Sequence, residues 1–124
     1  MRKMLKSKIH RARVTQCNID YEGSITIGRH LMQSADILPY EQVEVLDINN
    51  GARFTTYAIE GDESGEICLN GAAARMVAKG DKVIILTYCY LSDDEALNLV
   101  PTLVYVDAQN VIVKSKQAVA PFLY

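Results

Sequence analysis

The chain has 124 residues, of which 49% are hydrophobic and 23% charged, and a formal net charge of −2. That length suits one domain with one core, no tract is polar enough for disorder, and no apolar run is long enough to span a membrane. The slight acidity speaks against nucleic acid as the main partner. Cys17, Cys68 and Cys89 are odd in number and lack metal-ligand spacing, so they read as buried, reduced thiols, and no metal site is expected. Basic residues crowd the first segment, but Ile9-His10-Arg11-Ala12-Arg13 breaks any apolar run of the kind a secretory signal needs. A soluble cytoplasmic protein is expected.

Met4 to Gln16 reads as a long, mostly polar strand paired on one side only. Ile19 to Ile27 carries β-branched residues on both sides of Gly23-Ser24, which puts that dipeptide in or beside a strand, where glycine often marks a bulge. Arg29 to Leu38 has Leu31, Met32, Ala35 and Leu38 at helical spacing and stops at Pro39, so a short amphipathic helix is predicted. Gln42 to Ile48 is a strand, Asn49-Asn50-Gly51 a tight turn, and Arg53 to Ile59 the returning strand. On an ideal strand Arg53, Thr55 and Tyr57 share one face, and Phe54, Thr56 and Ala58 the other. A role for both Thr56 and Tyr57 therefore needs a bulge or two sites.

After an exposed turn at Glu60 to Gly65, Glu66 to Leu69 is a short strand running into Asn70-Gly71-Ala72-Ala73-Ala74. This small-residue junction opens a helix and leaves backbone N–H groups that a ligand can approach. Lys82 to Leu91 follows, and its Val83-Ile84-Ile85-Leu86 run marks the strand expected to be most buried. Ser92-Asp93-Asp94-Glu95 is a capping box for a helix ending before Pro101. Leu103 to Val106 and Val111 to Lys114 form a last hairpin, and Ala118 to Tyr124 a mildly apolar tail. Short strands between frequent turns predict a mainly β protein, either a closed barrel or a sandwich.

A Gly-Ser pair alone reads as a turn. Here Lys8-Ile9-His10 precedes Tyr21-Glu22-Gly23-Ser24-Ile25, Asn50-Gly51-Ala52-Arg53-Phe54-Thr55-Thr56-Tyr57 follows, and Asn70-Gly71-Ala72-Ala73-Ala74-Arg75 comes last. Over residues 3–115 these segments, in this order, resemble the pyruvoyl-dependent aspartate 1-decarboxylase family. The chemistry suits the residues: a serine hydroxyl attacks the preceding carbonyl when the backbone bends toward it, and glycine tolerates the bend.

The resemblance implies a six-stranded double-psi β-barrel with short helices, assembled as a homotetramer with active sites between neighbouring subunits. It implies a single catalytic domain that cleaves itself between Gly23 and Ser24 into chains 1–23 and 24–124. Ser24 would become a covalent pyruvoyl cofactor, with neither a metal nor pyridoxal phosphate, forming an imine with L-aspartate. The products would be β-alanine and carbon dioxide, feeding pantothenate and coenzyme A synthesis. A maturation factor is a candidate partner. Gly28-Arg29-His30 and the last ten residues depart from the family's pattern without touching these positions.

By the same resemblance Tyr57 is the proton donor, and Lys8 and Arg53 hold the substrate's carboxylates, which an ammonium and a forked guanidinium suit. Thr56 hydrogen-bonds substrate and assists cleavage, and Gly71, Ala72 and Ala73 offer backbone contacts. His10, Tyr21 and Asn70 form the supporting shell. Two rival readings stand beside this one: a small β-barrel binding module with an uncut Gly23-Ser24 turn, and a pyruvoyl enzyme for a different amino acid. A hydrolase built from Ser24, His10 and Asp20 is weaker, because no nucleophile elbow surrounds the serine.

Overall fold

The computed structural model describes residues 1–117; the predicted tail from Ala118 lies outside them. The chain is mainly β: β1 (Arg2–Arg13), β2 (Gln16–Asn18), β3 (Ser24–Gly28), α1 (Arg29–Ser34), β4 (Gln42–Asp47), β5 (Arg53–Gly61) and β6 (Ile67–Asn70) come first. A 3-10 helix (Gly71–Arg75), β7 (Lys82–Leu91), α2 (Asp93–Asn98), β8 (Thr102–Val106) and β9 (Ile112–Gln117) complete it. The capping box forms as its residue types require: Ser92 accepts from the Glu95 N–H, and Glu95 accepts from the Ser92 N–H at 2.9 Å.

The nine strands are hydrogen-bonded in the order β2-β6-β3-β5-β4-β7-β1-β8-β9. Although that order has two ends, β1 and β2 are one run of chain, parted only by Val14 and Thr15. Thr15 binds Ile67 through its N–H and its hydroxyl, while Val14 N–H reaches Asp81 O. The run from Arg2 to Asn18 therefore meets β7 at one end and β6 at the other. Counted as one strand, it joins β7, β4, β5, β3 and β6 in a barrel-like circuit of six, with β8 and β9 added beyond β1.

The first strand corrects one expectation. β1 is paired on both sides, antiparallel to β7 from Arg2 to Arg13 and parallel to β8 from Ser7 to His10. Its charges mislead because Lys3, Lys8 and Arg13 lie on the face opposite buried Ser7, Ile9 and Ala12, while Lys6 and Arg11 fall in the shifts of register. A register shift between Ile9 and Ala12 carries Arg11 at φ 64°, a left-handed conformation that side chains seldom adopt.

Alternate residues of the strands fill the barrel: Ile9, Ile25, Ile27, Val43, Val45, Ile67, Leu69, Val83 and Ile85 are buried together, with Leu31 and Met32 of α1 in the same cluster. Each such side chain contributes about 1.5–3 kcal/mol by leaving water. The most buried strand is β6, all four residues of which are covered, rather than β7. In β7 buried Val83, Ile85 and Thr87 alternate with half-buried Ile84 and Leu86, so the apolar run spans both faces. Among the described residues no helix is long and apolar enough to cross a membrane.

Candidate functional site

Antiparallel pairing of β3 with β6 sets Ser24 opposite Asn70 and Thr26 opposite Cys68. Ile25 and Leu69 point into the core, so these four side chains share the other face. The Asn70 amide nitrogen donates to Ser24 Oγ at 3.0 Å and to Thr26 Oγ1 at 3.0 Å, and its oxygen accepts from the Cys68 thiol at 3.2 Å. Ser24 Oγ in turn donates to the Glu22 carbonyl at 3.1 Å. A serine hydroxyl only 1% exposed is thus held from two sides, immediately after the exposed Gly23.

Gly71 governs the space around that bond. Its φ is +63°, and a Cβ there would lie 2.6 Å from Gly23 Cα, 2.7 Å from Gly23 N and 2.9 Å from Tyr21 O. Only glycine allows this approach of backbone to backbone. Gly23 itself is not at positive φ, and a Cβ on it would meet nothing within 4 Å. The chain does bend at Gly23, but without a conformation reserved for glycine, and the glycine the structure demands is Gly71. The following turn is a 3-10 helix in which Asn70 does not cap, its side chain being engaged with Ser24 and Thr26. Ala72 is exposed there and Ala73 buried.

On the other side of β3 runs β5, parallel, with Ile25 level with Ala58. One step back along both strands brings Ser24 level with Tyr57, and the two face away from the core together. The β4–β5 ladder is regular from Gln42–Tyr57 to Leu46–Arg53, so no bulge intervenes. Thr56, opposite buried Val43, therefore lies on the core side, level with Gly23. Among the described residues it has no side-chain hydrogen bond. Tyr57 is half-buried, its ring 6.4 Å from that of Tyr40.

The expected cations lie elsewhere. Lys8 on β1 is level with Leu86, Glu44 and Thr55 on successive strands, which puts four strand pairings, about 19 Å, between it and Ser24 by way of β7, β4 and β5. By way of β6 it is two pairings, but ten residues, about 33 Å, part Lys8 from Asn18 along the strand. Arg53 is four residues from Tyr57 along β5, about 13 Å on the same face. His10, half-buried, packs edge-on to Tyr105 at 5.5 Å and has a buried Nδ1 without a partner. Burial, then the charges of Lys8 and Arg11, push its imidazole below the usual range. A pocket of about 380 Å³ brings Tyr21, Thr26, Cys68 and Asn70 together beside the buried Ser24. A larger one, about 440 Å³, lies over Glu44, Thr55 and Tyr88 and includes none of the expected residues. Its Tyr88 phenol is pushed up to about 12 by burial and the Glu44 carboxylate, and stays neutral.

The family described as "Aspartate decarboxylase" matches residues 1–113. The chain belongs to that family. Among its relatives, the aspartate 1-decarboxylase of Dehalococcoides mccartyi is 62% identical over 118 residues, covering 94% of this chain and 95% of the relative. The enzyme of that name from Clostridium botulinum is 61% identical over 112 residues, 90% of this chain and 88% of its own. That of Thermoanaerobacter pseudethanolicus is 59% identical over 108 residues, 86% and 92%.

For an aspartate decarboxylase of this family, one copy of the chain gathers Tyr21, Gly23, Ser24, Asn70 and Gly71, with Tyr57 alongside, but leaves Lys8 and Arg53 apart from them. Sequence reasoning missed Cys68 and Thr26. Their signal was the i, i+2 repeat: Ser24 and Thr26 on one strand, Cys68 and Asn70 on its partner. Cys68 had been expected only as a buried thiol, and all three cysteines are free. Among the described residues no group of three His, Cys, Asp or Glu side chains gathers to hold a metal ion.

Proposed function

We propose that this chain is a self-maturing decarboxylase that converts L-aspartate to β-alanine and carbon dioxide, supplying pantothenate synthesis in the cytoplasm. The observation carrying the reading is the buried Ser24 hydroxyl, held by Asn70 and Glu22 beside a Gly23 against which Gly71 is packed. Ser24 Oγ bonds to the Gly23 carbonyl carbon while the Gly23-Ser24 C–N bond breaks, giving an ester and a free amine. Loss of the Ser24 α-proton then expels the Gly23 carboxylate, and water replaces the nitrogen as ammonia. Per chain one water is consumed, and segments 1–23 and 24–124 result, the second beginning with a pyruvoyl group. Both contacts to Ser24 are made by its Oγ, which elimination would leave on the Gly23 carboxylate; what fits such a group is the Asn70 amide, whose N–H, now 3.0 Å from Oγ, would remain beside position 24 to donate to an oxygen there.

The ketone supplies an electron sink for the pair released with carbon dioxide. The chain's own residues do the rest. Lys8 and Arg53 bind the substrate's carboxylates, Arg53 as a bidentate fork. The Tyr57 hydroxyl, level with position 24 and on the same face, returns a proton to carbon. Thr56, level with Gly23, assists cleavage, and Gly71, Ala72 and Ala73 contact substrate through backbone. His10, Tyr21 and Asn70 support this shell. Because Lys8 is four pairings from Ser24 one way round the barrel and ten residues further along the strand the other way, the complete site unites Ser24 of one copy with Lys8 of a neighbour, in a homotetramer.

The test is mass spectrometry of the denatured protein together with release of carbon dioxide from a panel of amino acids. The wild type should give two chains, the longer one lighter by one ammonia than the same peptide beginning with serine, and should prefer aspartate. Ser24→Ala should remain one folded, inactive chain. A Ser24→Ala protein that still splits would sink the assignment, and preference for another amino acid would replace the substrate.

A further inference from the structure

Ser24 needs its hydroxyl oriented before it can attack, and that orientation passes through a side-chain amide that can sit either way round. Both hydroxyls facing Asn70 accept or donate with equal ease, so neither Ser24 nor Thr26 dictates which end of the amide they meet. The third partner does dictate it. Cys68 is 6% exposed, and its Sγ lies 3.2 Å from Asn70 Oδ1. Burial first, then Glu66 and Cys17, push the thiol above its usual range, so it stays protonated and donates. A donor at that place holds the amide oxygen toward Cys68 and turns both N–H groups toward the hydroxyls, at 3.0 Å each.

The consequence falls on the nucleophile. With Asn70 donating to it, Ser24 Oγ cannot send its own hydrogen that way, and directs it to the Glu22 carbonyl at 3.1 Å. One lone pair is occupied by Asn70 and the other is left for the adjacent carbonyl carbon. With the amide reversed, Oδ1 would take the Ser24 hydrogen, and the bond to Glu22, which fixes the hydroxyl's rotation, would be lost. We propose that Cys68 is a positioning residue for cleavage of the Gly23-Ser24 bond, acting through Asn70 by fixing the orientation of its amide. This rests on the self-cleavage reading above and adds to it a residue outside every expected role.

The experiment follows cleavage of the full-length chain, from synthesis or refolding, by mass spectrometry under denaturing conditions. Cys68→Ala removes the donor, and Cys68→Val removes it while filling the space. Both should slow the appearance of chains 1–23 and 24–124 by about tenfold. Cys68→Ser restores a donor and should cleave within about twofold of wild type. Thermal unfolding of each uncut protein, measured alongside, identifies any variant that fails to fold. A purely structural role would make rate follow stability across the three variants, whereas a positioning role makes it follow the presence of a donor. Cys68→Val cleaving at the wild-type rate, or a stable Cys68→Ser as slow as Cys68→Val, overturns the role of Cys68 while leaving self-cleavage standing. Wild type that stays whole, even with cell extract added, removes the self-cleavage reading and this proposal with it.

Discussion

Tyr57 and Ser24 lie level on neighbouring parallel strands and face away from the core, so deleting one hydroxyl at a time separates maturation from turnover. Tyr57→Phe keeps the ring and its contact with Tyr40, so the chain should fold and cleave at the wild-type rate. Its kcat for aspartate should fall by about 10²-fold or more, the usual worth of a placed proton donor. A cleaved Tyr57→Phe enzyme with wild-type kcat would move the donor elsewhere. Asp47 is 2% exposed, accepts through Oδ1 from the N–H groups of Asn49 and Asn50, and has an Oδ2 without a hydrogen-bond partner, turned toward Asp81. Burial and the facing carboxylate raise its pKa above the unfolded value, so its charge is a cost at neutral pH that vanishes once pH falls below the folded pKa. Asp47→Asn keeps an acceptor for the turn and cannot ionise. The variant should therefore match or exceed wild-type stability at pH 7, by up to about 1 kcal/mol, and lose that advantage as Asp47 protonates in acid. Thermal unfolding midpoints at pH 7 and near pH 4 give the comparison; a variant less stable than wild type at pH 7 would show that the charged form is the favoured one.

At the scale of elements, the junction of β6 with the 3-10 helix is where backbone geometry meets chemistry. Gly71→Ala forces a Cβ to within 2.6 Å of Gly23 Cα at a φ of +63°, so the β6 junction and the 21–23 segment must part. It should cost roughly 1–3 kcal/mol and slow cleavage, whereas Gly23→Ala has open space on its Cβ and should cost far less stability. Equal unfolding midpoints for the two variants would refute this division of labour. The contrast also shows what could be read from sequence. The alternation in β4, the Asn-Gly turn before β5 and the apolar run in β7 located those strands to within a residue or two, and the Ser92 box located α2, because those signals are local. The role of Gly71 was not legible, since its demand for glycine comes from Gly23, across the β3–β6 pairing. Likewise β1 looked like an edge strand because its charges are visible in sequence and its second partner, β8, arrives about a hundred residues later. The faces of Thr56 and Tyr57 were legible as alternatives, and only the regular β4–β5 register chose between them. Of the candidate site, Gly23, Ser24, Asn70 and Gly71 were marked by motif, while Cys68 was hidden because its partner is set by strand pairing.

Lys8 and Ser24 stand apart along the strands of one copy. Between them lie four strand pairings, about 19 Å, by way of β5, β4 and β7, or two pairings through β6 to β2 and then ten residues, about 33 Å, along the strand from Asn18 to Lys8, and both side chains stand on the outer face. In the reading proposed above, each site therefore draws Ser24 and Lys8 from different copies of the chain. Two inactive variants then have complementary defects. Lys8→Ala should cleave normally and bind aspartate poorly, and Ser24→Ala should remain uncut with its Lys8 intact. In tetramers formed from both chains at equal amounts, a site takes Ser24 from one chain and Lys8 from another, and about a quarter of sites receive neither substitution. Co-expression should consequently restore about a quarter of wild-type carbon dioxide release per site, while the two proteins purified separately and mixed without subunit exchange should stay inactive. If both groups came from the same chain, every site would carry one defect or the other and co-expression would restore nothing. Size-exclusion chromatography with light scattering, run on the same samples, establishes the assembly in which the count is made. A tetramer that shows no recovery would place Lys8 and Ser24 in one copy's site, or remove Lys8 from the site altogether.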